Sequence, residues 1–116
     1  MISAIFSAVS GLVAQRMRLD VSANNVANLN TNNFKKSRVV LESTQPAGVR
    51  ASVQQVNTPG VPIPDGFAVR PGDETSNVDL VEETVTQIGA LQGFRANLNI
   101  VRAADQMLKH LIDTFR

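Results

Sequence analysis

Two long stretches of helical periodicity occupy opposite ends of a 116-residue chain, and neither can bury its apolar stripe alone. In the first, Ile2, Ile5, Val9, Leu12, Arg16, Leu19, Ala23 and Val26 follow one another in alternating steps of three and four, and Phe6, Val13 and Met17 widen the stripe. Strict three-four alternation is the seam of a coiled coil, here with Arg16 as its one charged interruption. At 1.5 Å per residue this helix is on the order of 40 Å long. Asn24, Asn25, Asn28, Asn30, Asn32 and Asn33 crowd its exit. Asn competes for backbone hydrogen bonds and tolerates left-handed conformations, so the helix is predicted to stop near 28–33.

The second stripe runs Val81, Val85, Ile88, Leu91, Phe94, Leu98, Val101, Leu108, Ile112 and Phe115. Ser76 followed by Asp79 reads as a capping-box-like start. Asp79, Glu82 and Glu83 then stand near the positive end of the helix dipole, and Lys109, His110 and Arg116 near the negative end. Gly89 and Gly93 sit four apart inside this helix, each costing up to about 1 kcal/mol relative to Ala. Either a neighbouring backbone approaches closely there, or the two glycines simply loosen the helix.

Between the helices the period changes. Residues 34–42 read as one strand and 49–56 as another, with Pro46-Ala47-Gly48 as the turn between them. Residues 57–75 hold Pro59-Gly60, Pro62, Pro64, Gly66 and Pro71-Gly72, the composition of an irregular connector. The expected fold class is therefore mainly α: long N- and C-terminal amphipathic helices packed as a coiled coil, with a small β-hairpin and irregular middle segment. The divisions fall at 1–33, 34–75 and 76–116. Five Phe with no Trp or Tyr leave few bulky anchors, which favours aliphatic helix–helix packing over a deep core.

Net charge is +1, so no global field recruits nucleic acid or an acidic membrane. The absence of Cys excludes disulfides and thiolate chemistry. The start lacks a basic n-region, and Arg16 and Arg18 interrupt its apolar stretch, unlike a cleaved signal peptide. No window approaches the roughly 18 apolar residues of a membrane-spanning helix.

The two ends resemble the bacterial flagellar axial family of rod, hook and hook-associated proteins. The N-terminal pattern stands as Ser10-Gly11-Leu12, Asn24-Asn25-Val26-Ala27-Asn28 and Thr31 before Phe34. The C-terminal pattern stands as Asn77-Val78-Asp79, Glu82-Glu83 and Phe94-Arg95-Ala96-Asn97. The short length, and the stretch 66–71 ahead of the second helix, look most like the proximal rod proteins. There are departures: Asn33 stands where the family pattern has Gly, and Thr84 where a Met commonly follows the acidic pair.

The resemblance implies a structural subunit of the flagellar basal-body rod, self-assembling with other axial proteins through its terminal helices. Those helices pair as an antiparallel or steeply crossed coiled coil and then pack on neighbouring subunits, with Ile5, Val9, Leu12, Leu19, Leu98, Val101, Leu108 and Ile112 as the expected assembly interface. The motif residues Asn24, Asn25, Asn28, Thr31, Phe34, Asn77, Val78, Asp79, Phe94 and Asn97 carry over with it, the Asn24, Asn25 and Asn28 amides satisfying backbone groups at the helix end. Implied partners are other rod proteins, copies of the chain itself, the flagellar type III export apparatus and the basal-body ring. The implied location is the periplasm-spanning rod, reached without a cleaved signal peptide.

Catalysis has little to stand on. The lone His110 beside Lys109 suits a helix-dipole contact, and no phosphate loop, nucleophile elbow or His/Cys metal spacing is present in the sequence. No enzyme activity, cofactor, metal or direct membrane insertion is expected. Asp79, Glu82 and Glu83 could be read as a hard-cation site, but dipole capping explains them more simply. Lys35, Lys36, Arg38 and Arg50 form a local basic patch lacking the stacking aromatics of a nucleic-acid surface. The rival to a rod subunit is a soluble, non-polymerising helical adaptor or chaperone-like accessory of the flagellar export and assembly machinery, which needs the same apolar stripes.

Overall fold

The first helix, α1, spans Ile2–Ala27 and ends where the asparagines accumulate. Asn28 N–H is shared between the carbonyls of Asn24 and Asn25, and its side-chain amide donates to Asn24 O at 2.9 Å. Leu29 and Thr31 N–H continue the tightening onto Val26 and Asn28 carbonyls. Asn33 then takes a left-handed φ of 60°, which Gly accepts freely and Asn better than most side chains. In this computed structural model, residues 2–64, 66–68 and 70–115 are described. Arg116 and Val69, the latter within the pre-helix stretch 66–71, lie outside them.

Strands β1 (Ser37–Ser43) and β2 (Val49–Gln55) form the antiparallel hairpin read from the sequence. Register places Val39 opposite Val53 and Leu41 opposite Ala51, so these apolar side chains share one face. The turn contains a cis Gln45–Pro46 bond and closes through Thr44 N–H on Gly48 O at 3.0 Å. Two strands are marginal alone, and this pair lies against α1. After β2 the chain runs irregularly, and residues 61–63 double back beside 73–75 through Thr75 N–H on Val61 O and Ile63 N–H on Asp73 O.

The second helix, α2, spans Leu80–Thr114. Its cap is Asp79, whose carboxylate accepts from the N–H groups of Val81 and Glu82. Ser76, expected at that place, instead accepts from Val78 N–H in the extended approach. Asn77, between them, is engaged at the base of the hairpin.

The two helices pack antiparallel: Ser22 and Asn25 meet Glu83, Gln15 meets Gly93, and Gly11 meets Asn97. The described apolar residues that are fully buried are all alanines, Ala8, Ala14, Ala90 and Ala104. Ala8, Gly11, Gln15, Arg18, Ser22 and Asn25 follow the same three-four spacing as the bulky stripe of α1, rotated onto another face. Glu83, Gln87, Ala90, Phe94, Asn97, Val101 and Ala104 do so in α2. Small residues let the helices approach closely. A Cβ on Gly11 would stand 2.6 Å from Asn97 Nδ2, and one on Gly93 would stand 2.9 Å from the Gln15 side chain. Gly89 meets nothing and Gly93 meets a side chain, so the approach of a neighbouring backbone accounts for neither glycine.

Candidate assembly surface and motif junction

The terminal motifs converge on two consecutive residues, Lys36 and Ser37, where β1 begins. Asn25, 1% exposed, holds Ser37 from both sides: its Oδ1 accepts from Ser37 N–H at 3.0 Å and its Nδ2 donates to Ser37 O at 2.7 Å. The same Nδ2 donates to Glu83 Oε1 at 2.8 Å, so one amide ties α1 to both β1 and α2. Ser22 adds a hydrogen bond to Glu83 O at 3.2 Å. From the other motif, Asn77 Oδ1 accepts from Lys36 N–H at 2.7 Å, while its Nδ2 donates to the Val56 and Thr58 carbonyls. Each amide substitutes for strand partners that a two-stranded sheet lacks at its base.

The remaining motif residues have local duties. Thr31 donates through its hydroxyl to Asn28 Oδ1, and Phe34 O accepts from Asn77 N–H. Val78, Phe94 and Asn97 are half-buried, and Asn24 is exposed, its carbonyl taking the Asn28 amide. Ser10 and Gly11 point to different partners. Ser10 Oγ accepts from Val49 N–H at 3.0 Å and pins the hairpin tip, while Gly11 admits the Asn97 side chain.

Below the junction, Asn33 makes the contacts a Gly could not. Its Nδ2 donates to Asp73 Oδ1 at 2.9 Å, and its Oδ1 accepts from Glu74 N–H at 3.0 Å. Glu74 is ion-paired with Lys35 and accepts from Gly60 N–H at 2.7 Å. The Lys35 hydrogen bond, then the Gly60 N–H, hold its carboxyl below the ordinary value against a smaller opposing effect of desolvation. The acidic trio at the start of α2 is divided among separate partners: Asp79 caps the helix, Glu82 pairs with Lys36 at 2.5 Å, and Glu83 meets Asn25.

The expected interface residues fall into two sets. Ile5, Leu12, Leu19, Leu98 and Val101 are half-buried along the flanks of the helix pair, whereas Val9, Leu108 and Ile112 are exposed. In α1 the exposed bulky residues are Ile2, Phe6, Val9 and Val13, from 44% at Val9 to 72% at Ile2. In α2, Val81, Val85 and Ile88 also face outward, from 57% at Ile88 to 72% at Val81. Sequence reasoning followed the bulky stripes, which shared Phe94 and Val101 with the packed face; the signal it passed over was the small residues Ala8, Gly11, Ser22, Ala90 and Ala104 at the same spacing. An open apolar groove of about 520 Å³ lies between the start of α1 and the hairpin turn, lined by Ile2, Phe6, Pro46 and Ala47 among others. A more polar cleft of about 230 Å³ lies at the motif junction, lined by residues including Arg18, Asn25, Ser37 and Glu83.

Both motifs coincide with known sequence families. Residues 5–35 match the flagella basal body rod protein model, and residues 73–114 match the model of the flagellar basal body rod FlgEFG protein C-terminal region. The chain belongs to the flagellar rod and hook axial family. Among its relatives in that family, the flagellar basal-body rod protein FlgG of Buchnera aphidicola subsp. Baizongia pistaciae is 38% identical over 76 residues, covering 61% of this chain and 28% of that protein. The flagellar hook protein FlgE of Treponema pallidum is 32% identical over 118 residues, covering 99% of this chain and 24% of the hook protein. The flagellar basal-body rod protein FlgC of Yersinia enterocolitica is 27% identical over 115 residues, covering 85% of this chain and 86% of that protein. The chain spans less than a third of the length of the FlgG relatives it matches.

Proposed function

We propose that this chain is a structural subunit of the flagellar basal-body rod, assembling with copies of itself and with related axial proteins through its terminal helices. One observation carries this reading. Both helices leave bulky apolar stripes uncovered after pairing with each other, while the motif residues Asn25, Asn77 and Asp79 are spent on holding the chain's own fold. Burying each exposed Val, Ile, Leu or Phe contributes about 1.5–3 kcal/mol at most, so a few such contacts per helix can drive association. The proline-containing middle segment would then face outward. The match across 86% of the FlgC relative supports a role as a rod subunit. Export through the flagellar type III apparatus, contact with the basal-body ring and residence in the periplasm-spanning rod belong to the same proposal. Among the described residues no helix is long and apolar enough to cross a membrane.

The test is deletion of the gene, with motility as the readout, combined with fractionation of a tagged copy. Loss of swimming and recovery of the tag with isolated basal bodies is the expected result. A tag that stays out of the basal-body fraction would overturn the reading.

A further inference from the structure

We propose that the free faces of the two helices are complementary between copies: α1 of one copy docks antiparallel on α2 of a second, Val9 against Val85. The proposal rests on the assembly reading above and adds its contact and register. Ile2, Phe6, Val9 and Val13 are separated by steps of four, three and four, and all are exposed. Val81, Val85 and Ile88 begin the same series in α2, whose next position is Gln92 with the exposed Leu91 beside it. The series reads alike in both directions, so apolar matching permits either a parallel or an antiparallel contact.

Charge selects between them. In the antiparallel register Val13 meets Val81, Val9 meets Val85 and Phe6 meets Ile88. The next step carries Arg16 past the start of α2, beside Asp79 and Glu82. In the parallel register the same step brings Arg16 opposite Arg95, and like charges in an interface oppose docking. Lys36, Arg18 and Arg38 share the cleft with Glu82 and Glu83 and offset those carboxylates, whereas no acidic residue stands within four positions of Arg95 to relieve the parallel pairing. Arg16 is available for the exchange: among the described residues its ion pair is an exposed 3.8 Å contact with Asp20. Because the two faces belong to different helices, each copy of a docked pair keeps one free face, and the pair as a whole still offers one of each. Such a contact is heterologous and propagates into a filament.

The chain has no Cys, so disulfide trapping can read the register directly. Full-length Val9→Cys mixed with Val85→Cys, at concentrations where the protein associates, is expected to cross-link several-fold more than Phe6→Cys mixed with Val85→Cys. Adding Arg16→Glu to the Val9→Cys chain is expected to reduce the yield several-fold. Preference for the Phe6 pair, equal yields, or no cross-link in associated protein would overturn the proposal, as would trapping of Val9→Cys on a different protein in basal bodies. A chain that enters the basal-body fraction without the Val9–Val85 link overturns the pairing and leaves the structural role intact. A chain excluded from that fraction overturns the role, and the purified mixture then judges the pairing alone.

Discussion

At the scale of single residues, two asparagine amides do what a third strand would otherwise do. Removing Asn25 leaves the Ser37 N–H and carbonyl without their buried partner, and a buried group left unpaired costs about 1–3 kcal/mol. We expect Asn25→Ala to lower unfolding free energy by about 2–4 kcal/mol in urea titrations followed by circular dichroism. Asn25→Asp should be at least as damaging, since a carboxylate cannot donate to Ser37 O and would face the Glu83 carboxylate. The sequence placed Asn amides at the end of α1 to satisfy helix backbone groups. Asn28 serves in that way, but Asn25, one turn earlier, turns inward to the strand; composition cannot distinguish an amide spent locally from one spent across the fold. Glu74 carries the pH dependence. Its folded pKa lies below the ordinary value of 4.5, so its stabilisation is complete above that value and is lost as pH falls through the lowered one. Wild type should therefore lose stability on acidification from about pH 5 more steeply than Glu74→Gln, as read by thermal unfolding across that range.

At the scale of elements, existence and order were legible from periodicity, and the hairpin from its Pro-Gly turn and alternating flanks. What could not be read was which of two stripes on each helix faces its partner. Val81-Val85-Ile88 and Glu83-Ala90-Asn97-Ala104 both keep helical spacing, and hydrophobicity ranks the first higher. Close approach favours the second, because alanine and glycine let the helix axes draw together while bulky side chains point out. The start of α2 lies three residues beyond the sequence reading: Ser76 and Asp79 are both good caps, and the structure uses Asp79 while Asn77 between them bonds to the base of the hairpin. The glycines give the prediction for this scale. Gly89→Ala meets open space and should stabilise the isolated chain by about 0.5–1 kcal/mol through helix propensity alone. Gly93→Ala must displace Gln15 and should gain less or lose stability, with urea midpoints of the two variants deciding the order.

At the scale of the molecule, the chain extends 78 × 24 × 16 Å, with a radius of gyration of 20.3 Å against about 13 Å for a compact chain of similar length. Its accessible surface is 8308 Å², whereas a compact monomer of 12.5 kDa exposes about 6,200 Å². The excess, about 2,100 Å², is of the size that stable interfaces bury. Val85→Asp changes an exposed residue, so it should leave unfolding of the dilute chain within about 0.5 kcal/mol of wild type while abolishing association in sedimentation experiments. Leu98→Asp, half-buried beside the helix pair, should impair both. The hairpin adds a mechanical consequence. It is pinned to one helix at its tip by Ser10 and at its base by Asn25, about 22 Å apart along the axis. A ribbon fastened at two separated points acts as a brace: twisting or bowing the helix pair must shear both fastenings together, so torque is shared between them instead of opening one joint at a time.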